Sequence, residues 1–303
     1  LSAPDLSLPA RPASGPALPQ PAAVLQLLKP ITWFAPMWAF GCGIASSGQP
    51  ILPRLGLIAA GVLLCGPLVT GTSQAVNDWF DRHVDAINEP NRPIPSGRVP
   101  GAWGLIIACV WTLVSMAVAA SLGLWVFLPA CLGMALAWAY SAPPLRLKLN
   151  GWWGPGAVGL CYETLPWFTA AAVMAGAFPD WHIVVIALCY GIGAHGIMTL
   201  NDFKAVEGDR QMGVNSLPVT MGVEHAARLA CIIMAGPQAI VVTLLAVWGH
   251  LWYALAVGVL LGTQFDFMAR LMRAPKEKAP WYNATGTTLY VLGMLVAAFA
   301  VRP

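Results

Sequence analysis

Charge is what this sequence has least of. Its 303 residues include only 16 lysines and arginines and 13 aspartates and glutamates, 10% together, against roughly 25% in a typical water-soluble domain. So thin a set cannot clothe a surface facing water. Hydrophobic residues make up 58%, with a mean hydropathy of +0.67. The chain reads as an all-α protein embedded in a bilayer. Paired cysteines are also missing. Cys42, Cys65, Cys109, Cys131, Cys161, Cys189 and Cys231 are odd in number, form no C-x-x-C pair and lie in apolar stretches. They are expected to be small core residues, which excludes a disulfide framework or a zinc site. The first residues lack the basic start and compact apolar run of a signal peptide. Residues 1–22 instead hold six prolines and almost no charge, so they are expected to form a retained, disordered cytoplasmic tail. Residues 23–303 are expected to form one transmembrane domain.

Nine apolar segments follow, near 31–48, 55–77, 102–121, 123–140, 154–175, 181–201, 226–248, 250–271 and 283–301. Each approaches the ~20 residues a helix needs to cross the hydrocarbon. With the N-terminus cytoplasmic, one side receives Arg11, Lys29, Arg82, Arg92, Arg98, Arg146, Lys148, Lys204, Arg210, Arg228, Arg270, Arg273, Lys276 and Lys278. The other receives only Arg54 and Arg302. The positive-inside rule therefore favours an N-in, C-out arrangement of nine helices.

The few acids cluster. The second apolar segment ends in Asn77-Asp78 and the sixth in Asn201-Asp202, and each pair leads into an acidic stretch on the same side of the membrane. This echo suggests a doubled half-site. In the first stretch Asn77, Asp78, Asp81 and Asp85 fall within a ~100° arc of a helix. Carboxylates so placed repel one another unless a cation sits among them, and hard oxygen donors suit Mg²⁺. In the second, Asp202 and Asp209 share a face if the helix continues, and Gly208 is a place where it can end and swing Glu207 around. Two such clusters facing each other can hold two or more Mg²⁺ ions bridged by a diphosphate. The alternative is a solvated helix end.

Nearby cations fit the same ligand. Arg92 and Arg98 lie in N-R-P-I-P-S-G-R, and Arg146 and Lys148 follow Y-S-A-P-P, where prolines stiffen the loop. Basic cytoplasmic loops are also what topology alone produces. Ionisable groups within the apolar segments need an account too, because they are rare there. His195 lies seven residues before Asp202, on the same face but about two turns deeper, and can serve either a ligand or an interhelical hydrogen bond. Glu163, beside Tyr162, either lines a cavity or packs helices. Gln264 and Asp266 are close enough to a membrane face to reach the headgroups.

The run N-D-x-x-D-x-x-x-D, N-R-P-I-P-S-G, Y-S-x-P-P-L-R-L-K and N-D-x-K-A-V-E-G-D-R resembles the UbiA superfamily of intramembrane prenyltransferases, from about Lys29 to the last helix. The A-V-E-G-D variant of the second motif is similar to the chlorophyll and bacteriochlorophyll synthase branch, and Phe80, His83 and the stretch Gly191–His195 resemble the bacteriochlorophyll side of it. The resemblance implies a Mg²⁺-dependent helical bundle that joins a C20 prenyl diphosphate, geranylgeranyl or phytyl, to the propionate of a (bacterio)chlorophyllide. It places the metal at Asn77, Asp78, Asp81, Asp85, Asp202, Glu207 and Asp209, with Asp81, Asp85, Asp202 and Asp209 central to catalysis. Arg92, Arg98, Arg146 and Lys148 would take the diphosphate, and His195, Glu163 and Tyr162 the tetrapyrrole. Expected partners are the two substrates and the lipid bilayer, with pigment-assembly membrane proteins as candidates and no nucleic acid. The expected setting is a bacterial inner or photosynthetic intracytoplasmic membrane, with the site loops cytoplasmic. A quinone or haem prenyltransferase of the same superfamily and a transporter are the competing readings. Against a transporter, the acids gather at one membrane face and not at the midplane.

Overall fold

The computed structural model describes residues 18–302. Residues 1–17 of the expected tail lie outside the described residues, and its last two positions already belong to a helix. This is α1 (Pro21–Leu27), opened by a proline that has no N–H to leave unpaired. A tight turn (Pro30–Trp33) leads into α2 (Phe34–Ser46). Next, α3 (Leu55–Leu63) runs through a wide π-helical stretch (Leu64–Thr70) into α4 (Gly71–Asn88). The hairpin of α5 (Trp103–Ser121) and α6 (Leu124–Ser141) follows. Then α7 (Trp153–Gly159) passes through a second π-helical stretch (Leu160–Thr164) into α8 (Leu165–Ala175). The chain continues as α9 (Trp181–Asn201), the short α10 (Val206–Met212) and α11 (Leu217–Met221), and the long α12 (Val223–Val247), α13 (Leu251–Leu271) and α14 (Pro275–Ala300).

Seven helical runs among the described residues are long and apolar enough to cross a membrane. The segments expected at 31–48 and 154–175 are helical too, as α2 and as the α7–α8 run, but α2 is only 13 residues long and α7–α8 is rich in Gly, Pro and Trp. The second span differs from expectation in length. Its helical run covers 37 residues, Leu52–Asn88. At about 1.5 Å per residue this exceeds the ~30 Å hydrocarbon core. The first acidic motif therefore lies within a continuous helix that projects past the apolar layer, whereas α9 does end at Asn201.

Both wide turns have a proline cause. Pro67 lies within the first, and Pro166 stands two residues beyond the end of the second. A proline inside a helix lacks the N–H for its own bond and crowds the carbonyl four residues back, and a local π-helical expansion relieves both. Thr70 Oγ1 donates to the Cys65 carbonyl at 2.8 Å, satisfying one of the acceptors the expansion leaves.

The core is organised on α9, which packs against α7, α12 and α14. Close approach relies on missing side chains. A Cβ at Gly196 would lie 2.4 Å from the Ala230 carbonyl oxygen, and one at Gly193 2.2 Å from the Tyr290 hydroxyl. Tyr290 in turn donates to the Tyr190 carbonyl at 2.5 Å. Gly196→Val must push α12 away from α9, and forced overpacking of this kind costs about 1–3 kcal/mol. We expect a lower melting temperature in detergent, and an unchanged melt would show the α9–α12 contact to be slack.

Several polar positions differ from expectation. Gln264 is fully buried and exchanges hydrogen bonds with Gln238 of α12 at 2.9 and 3.1 Å, so it ties α12 to α13 and does not reach the membrane face. Asp266 is exposed and paired with Arg270 one turn on, at 2.8 Å. All seven cysteines are free, but only Cys42 and Cys65 are buried, and Cys109 is exposed on the apolar surface of α5.

Candidate metal and diphosphate site

The two acidic motifs meet at one cavity of about 670 Å³, where α4 and the end of α9 converge beneath two loops. From α4 come Asn77, Asp81 and Asp85, four residues apart and so on one stripe of the helix. From the second motif come Asp202 and Asp209. Arg92, Arg146 and Lys148 complete the charged wall, with Glu89, Tyr140 and Ser216.

On α4 the site neutralises itself. Lys148 Nζ hydrogen-bonds both oxygens of Asp81, and Arg92 Nη1 reaches Asp85 Oδ2 at 2.9 Å. Arg92 also grips Glu89 in a two-pronged pair at 2.7 and 2.8 Å, which holds the Glu89 carboxyl below its usual range. Asn77 Nδ2 donates to Asp81 Oδ2 and to Ser141 Oγ, both at 3.0 Å, and so fixes the carboxylate against α6. Burial lowers the Lys148 ammonium below its ordinary value, against the opposing pull of Asp81.

The second motif is built differently. The helix breaks at a single turn, Asp202–Lys204, before α10 starts at Val206. Gly208 lies inside α10, so it does not end a helix there. Asp202 makes no salt bridge among the described residues, although it lines the same cavity as three cations. Asp209 Oδ2 accepts from Ser216 Oγ at 2.7 Å, while burial raises its carboxyl above the usual range. A two-point clamp holds the two loops together. Gly151 N donates to Asn215 O, and Asn215 N to Leu149 O, both at 2.9 Å. This clamp sets Arg146 and Lys148 over the acids. Arg146 takes a left-handed backbone conformation with φ 41°, and its buried Nε has no partner.

Three of the expected residues stand elsewhere. Asp78 lies at the edge of the acidic arc and turns away from the cavity, its fully buried side chain paired with Lys29 at 2.7 Å and Arg92 at 3.5 Å. Glu207 is exposed and pairs with Arg210 at 3.3 Å. Arg98 is spent on its own loop and on α1, donating to Asn91 O, Ser96 Oγ and Gln26 Oε1. The echo between the motifs is thus out of step: the first turns its Asn toward the cavity and its Asp away, and the second does the reverse. Asn201 instead accepts from Asn283 of α14 at 2.7 Å. Asp78→Ala strips Lys29 of its carboxylate and should lower thermal stability by about 3 kcal/mol, the lower end for breaking a buried pair. A melting curve checks this, and an undiminished melt would make the pair dispensable.

The donor chemistry fits a hard divalent cation. Among the described residues, no group of three acidic, histidine or cysteine side chains is already gathered for a metal ion. Four aspartates and an amide oxygen nonetheless line one cavity. Mg²⁺ characteristically takes only one or two carboxylates and fills its shell with water and phosphate oxygens. The arrangement suits that habit better than an all-protein cage.

An apolar chamber of about 280 Å³ adjoins the charged cavity and shares Asn77, Tyr140, Lys148 and Met198 with it. Val69, Leu136, Ala137, Val158 and Cys161 supply apolar wall, and Tyr162 accepts a hydrogen bond from Gln74 at 3.4 Å beside it. Both wide turns thus contribute to one chamber. Glu163 is buried on the neighbouring side of the same turn. His195 is 8% exposed, with its ring 5.5 Å from that of Trp152, and it lines neither the charged cavity nor the apolar chamber. Tyr140, Ser141 and Ser216 had no role in the sequence reading. Tyr140 and Ser141 open the Y-S-x-P-P run, the one signal that pointed to them, and Ser216 carried none.

Residues 33–300 match the family described as "UbiA prenyltransferase family". The bacteriochlorophyll synthase 33 kDa chain of Cereibacter sphaeroides is 57% identical, over 94% of this chain and 95% of its own length. The chloroplastic chlorophyll synthase of Arabidopsis thaliana is 40% identical, over 91% of this chain and 73% of its own. Among solved structures, a UbiA homologue from Archaeoglobus fulgidus bound to GPP and Mg²⁺ superposes with a TM-score of 0.68 at 18% identity. It covers 92% of this chain and 99% of its own.

Proposed function

Because this chain belongs to the UbiA prenyltransferase family, we propose that it esterifies the propionate of a bacteriochlorophyllide with a C20 prenyl diphosphate and releases diphosphate. It is a multi-pass membrane enzyme. The observation that carries the reading is a single cavity where carboxylates of both motifs face Arg92, Arg146 and Lys148, opening onto an apolar chamber. The near full-length similarity to bacteriochlorophyll synthases supports the acceptor class.

Asn77, Asp81, Asp85, Asp202 and Asp209 would hold Mg²⁺, in two or more ions. Bound there, Mg²⁺ supplies Lewis-acid neutralisation of the charge that builds on the departing diphosphate. Lys148, Arg146 and Arg92 bind its oxygens from the loop side. The prenyl chain extends into the apolar chamber, whose walls keep water from the allylic carbon. A propionate oxygen attacks that carbon, the new C–O bond forms as the bond to diphosphate breaks, and the electron pair leaves with the diphosphate. A propionate is ionised near neutral pH, since a carboxyl pKa is about 4. No general base is required, and the aspartates hold cations without moving protons. The charged rim is assigned to the cytoplasmic face of a bacterial inner or intracytoplasmic membrane, matching the bias of lysine and arginine.

Purified protein in nanodiscs, given bacteriochlorophyllide a, geranylgeranyl diphosphate and Mg²⁺, should yield the ester and diphosphate in equal amounts by chromatography. Prenylation of a quinone or haem precursor with no pigment ester would overturn the acceptor assignment. Phytyl diphosphate in a parallel reaction settles the donor.

A further inference from the structure

A further cavity of about 380 Å³ lies between the Pro30–Trp33 turn, α2, the end of α7, the second wide turn, α9 and α14. It shares Val158, Tyr162 and Met198 with the apolar chamber, so the two spaces adjoin around Met198. Its wall is largely apolar, with one concentration of polar groups. Glu163 comes from the wide turn, and Asn283 and Thr287 stand one turn apart on α14.

These three side chains are unusual in the same way. Glu163 is only 6% exposed and its Oε2 has no hydrogen-bond partner. Asn283 Oδ1 and Thr287 Oγ1 are likewise buried and unpartnered. Asn283 is anchored by its other end, through Nδ2 to Asn201 Oδ1 at 2.7 Å, which leaves its oxygen free. Buried polar atoms are almost always satisfied, and inside a bilayer an unpaired one is a standing liability. Three around one cavity, from two separate helices, point to a ligand that satisfies them. That ligand is mainly apolar, because the rest of the wall is, and it carries hydrogen-bonding groups along one edge.

We propose that Glu163, Asn283 and Thr287 form the recognition edge for the acceptor substrate, hydrogen-bonding polar substituents on the rim of a flat apolar ring system and so setting which acceptor is used. The inference rests on the prenyl-transfer reading above and adds the specificity-determining residues to it. The wide turn matters to the assignment. It carries Tyr162 on the wall that both spaces share and Glu163 on the acceptor's cavity, so one backbone distortion borders both spaces, which adjoin at Met198.

The test separates the two substrates kinetically. Glu163→Leu, assayed in nanodiscs with Mg²⁺, bacteriochlorophyllide a and geranylgeranyl diphosphate, should raise the acceptor KM roughly tenfold, the scale set by losing one buried hydrogen-bond partner. The donor KM should stay within about twofold, because a hydrogen-bonding edge remote from the diphosphate does not hold the donor. Glu163→Gln keeps a donor and an acceptor and should recover most of the lost affinity. Thr287→Val is nearly isosteric, retains the fold if the leucine variant does not, and should also raise the acceptor KM. An unchanged acceptor KM in Thr287→Val and in a folded Glu163→Leu overturns the proposal, as does a rise confined to the donor KM. If the wild type fails to esterify the pigment, the acceptor assignment is what has failed. The same variants measured with the acceptor it does prenylate then decide the recognition edge.

Discussion

Asp202→Asn is expected to lower kcat by at least ~100-fold, the effect of losing one preorganised charge-stabilising group worth about 2.7–4 kcal/mol. Asp202 lines the cavity without a salt bridge among the described residues, so its carboxyl is free for the metal that the proposed function places there. Asparagine keeps the shape and removes the charge. Because the residue sits in a single turn between α9 and α10 and supports no ion pair, melting temperature and membrane insertion should be close to wild type. Asp81→Asn should match it in kcat, with an added fall in affinity for the diphosphate as Lys148 loses its anchor. Single-turnover rates with both substrates saturating check this. Near-normal turnover in either variant means that its motif does not bind the metal.

Chelation is expected to have the larger effect still: activity falls to background in EDTA and returns with Mg²⁺. Charge balance is the reason. Among the described residues five carboxylates, those of Asp81, Asp85, Glu89, Asp202 and Asp209, line the cavity against the three cations Arg92, Arg146 and Lys148. A cavity already in negative excess repels a diphosphate, and every interaction is strengthened where water is scarce. Divalent cations reverse the balance. Titrating binding of a non-hydrolysable prenyl diphosphate analogue with and without Mg²⁺ reads the effect independently of turnover. Full turnover by a metal-stripped preparation would sink the mechanism.

The acid stripe of α4 was legible in the sequence because helical periodicity is local: Asn77, Asp81 and Asp85 share a face whatever surrounds them. Which member of each Asn-Asp pair turns inward was not legible. That depends on Lys29 and Arg92 reaching Asp78, and on Asn283 reaching Asn201, contacts between residues far apart in the chain. The reach of the second span to Asn88 was hidden for a related reason. Its last turns are too polar to read as membrane helix, yet they remain helical beyond the bilayer, where the polar face is the one needed. For Glu207 the sequence left open a continuous helix or an end at Gly208; the break lies instead at Asp202–Lys204 and leaves Glu207 on an exposed face of α10. The likeness of motif to motif brought both acidic stretches to one cavity, but not the one-residue offset between the two halves.

The ion pairs of Lys148 with Asp81 and of Arg92 with Asp85 make the resting cavity an ion exchanger. Lys148 and Arg92 can leave their aspartates for phosphate oxygens as soon as those aspartates find other counterions, and neither has to leave the cavity wall. The number of opposite-charge contacts stays nearly constant while the partners trade places. On the proposed reaction, substrate entry would therefore expose few bare charges. The trade would run backwards after transfer: each cation would return to its aspartate, and the diphosphate, stripped of its local counterions, would be driven toward water at the rim.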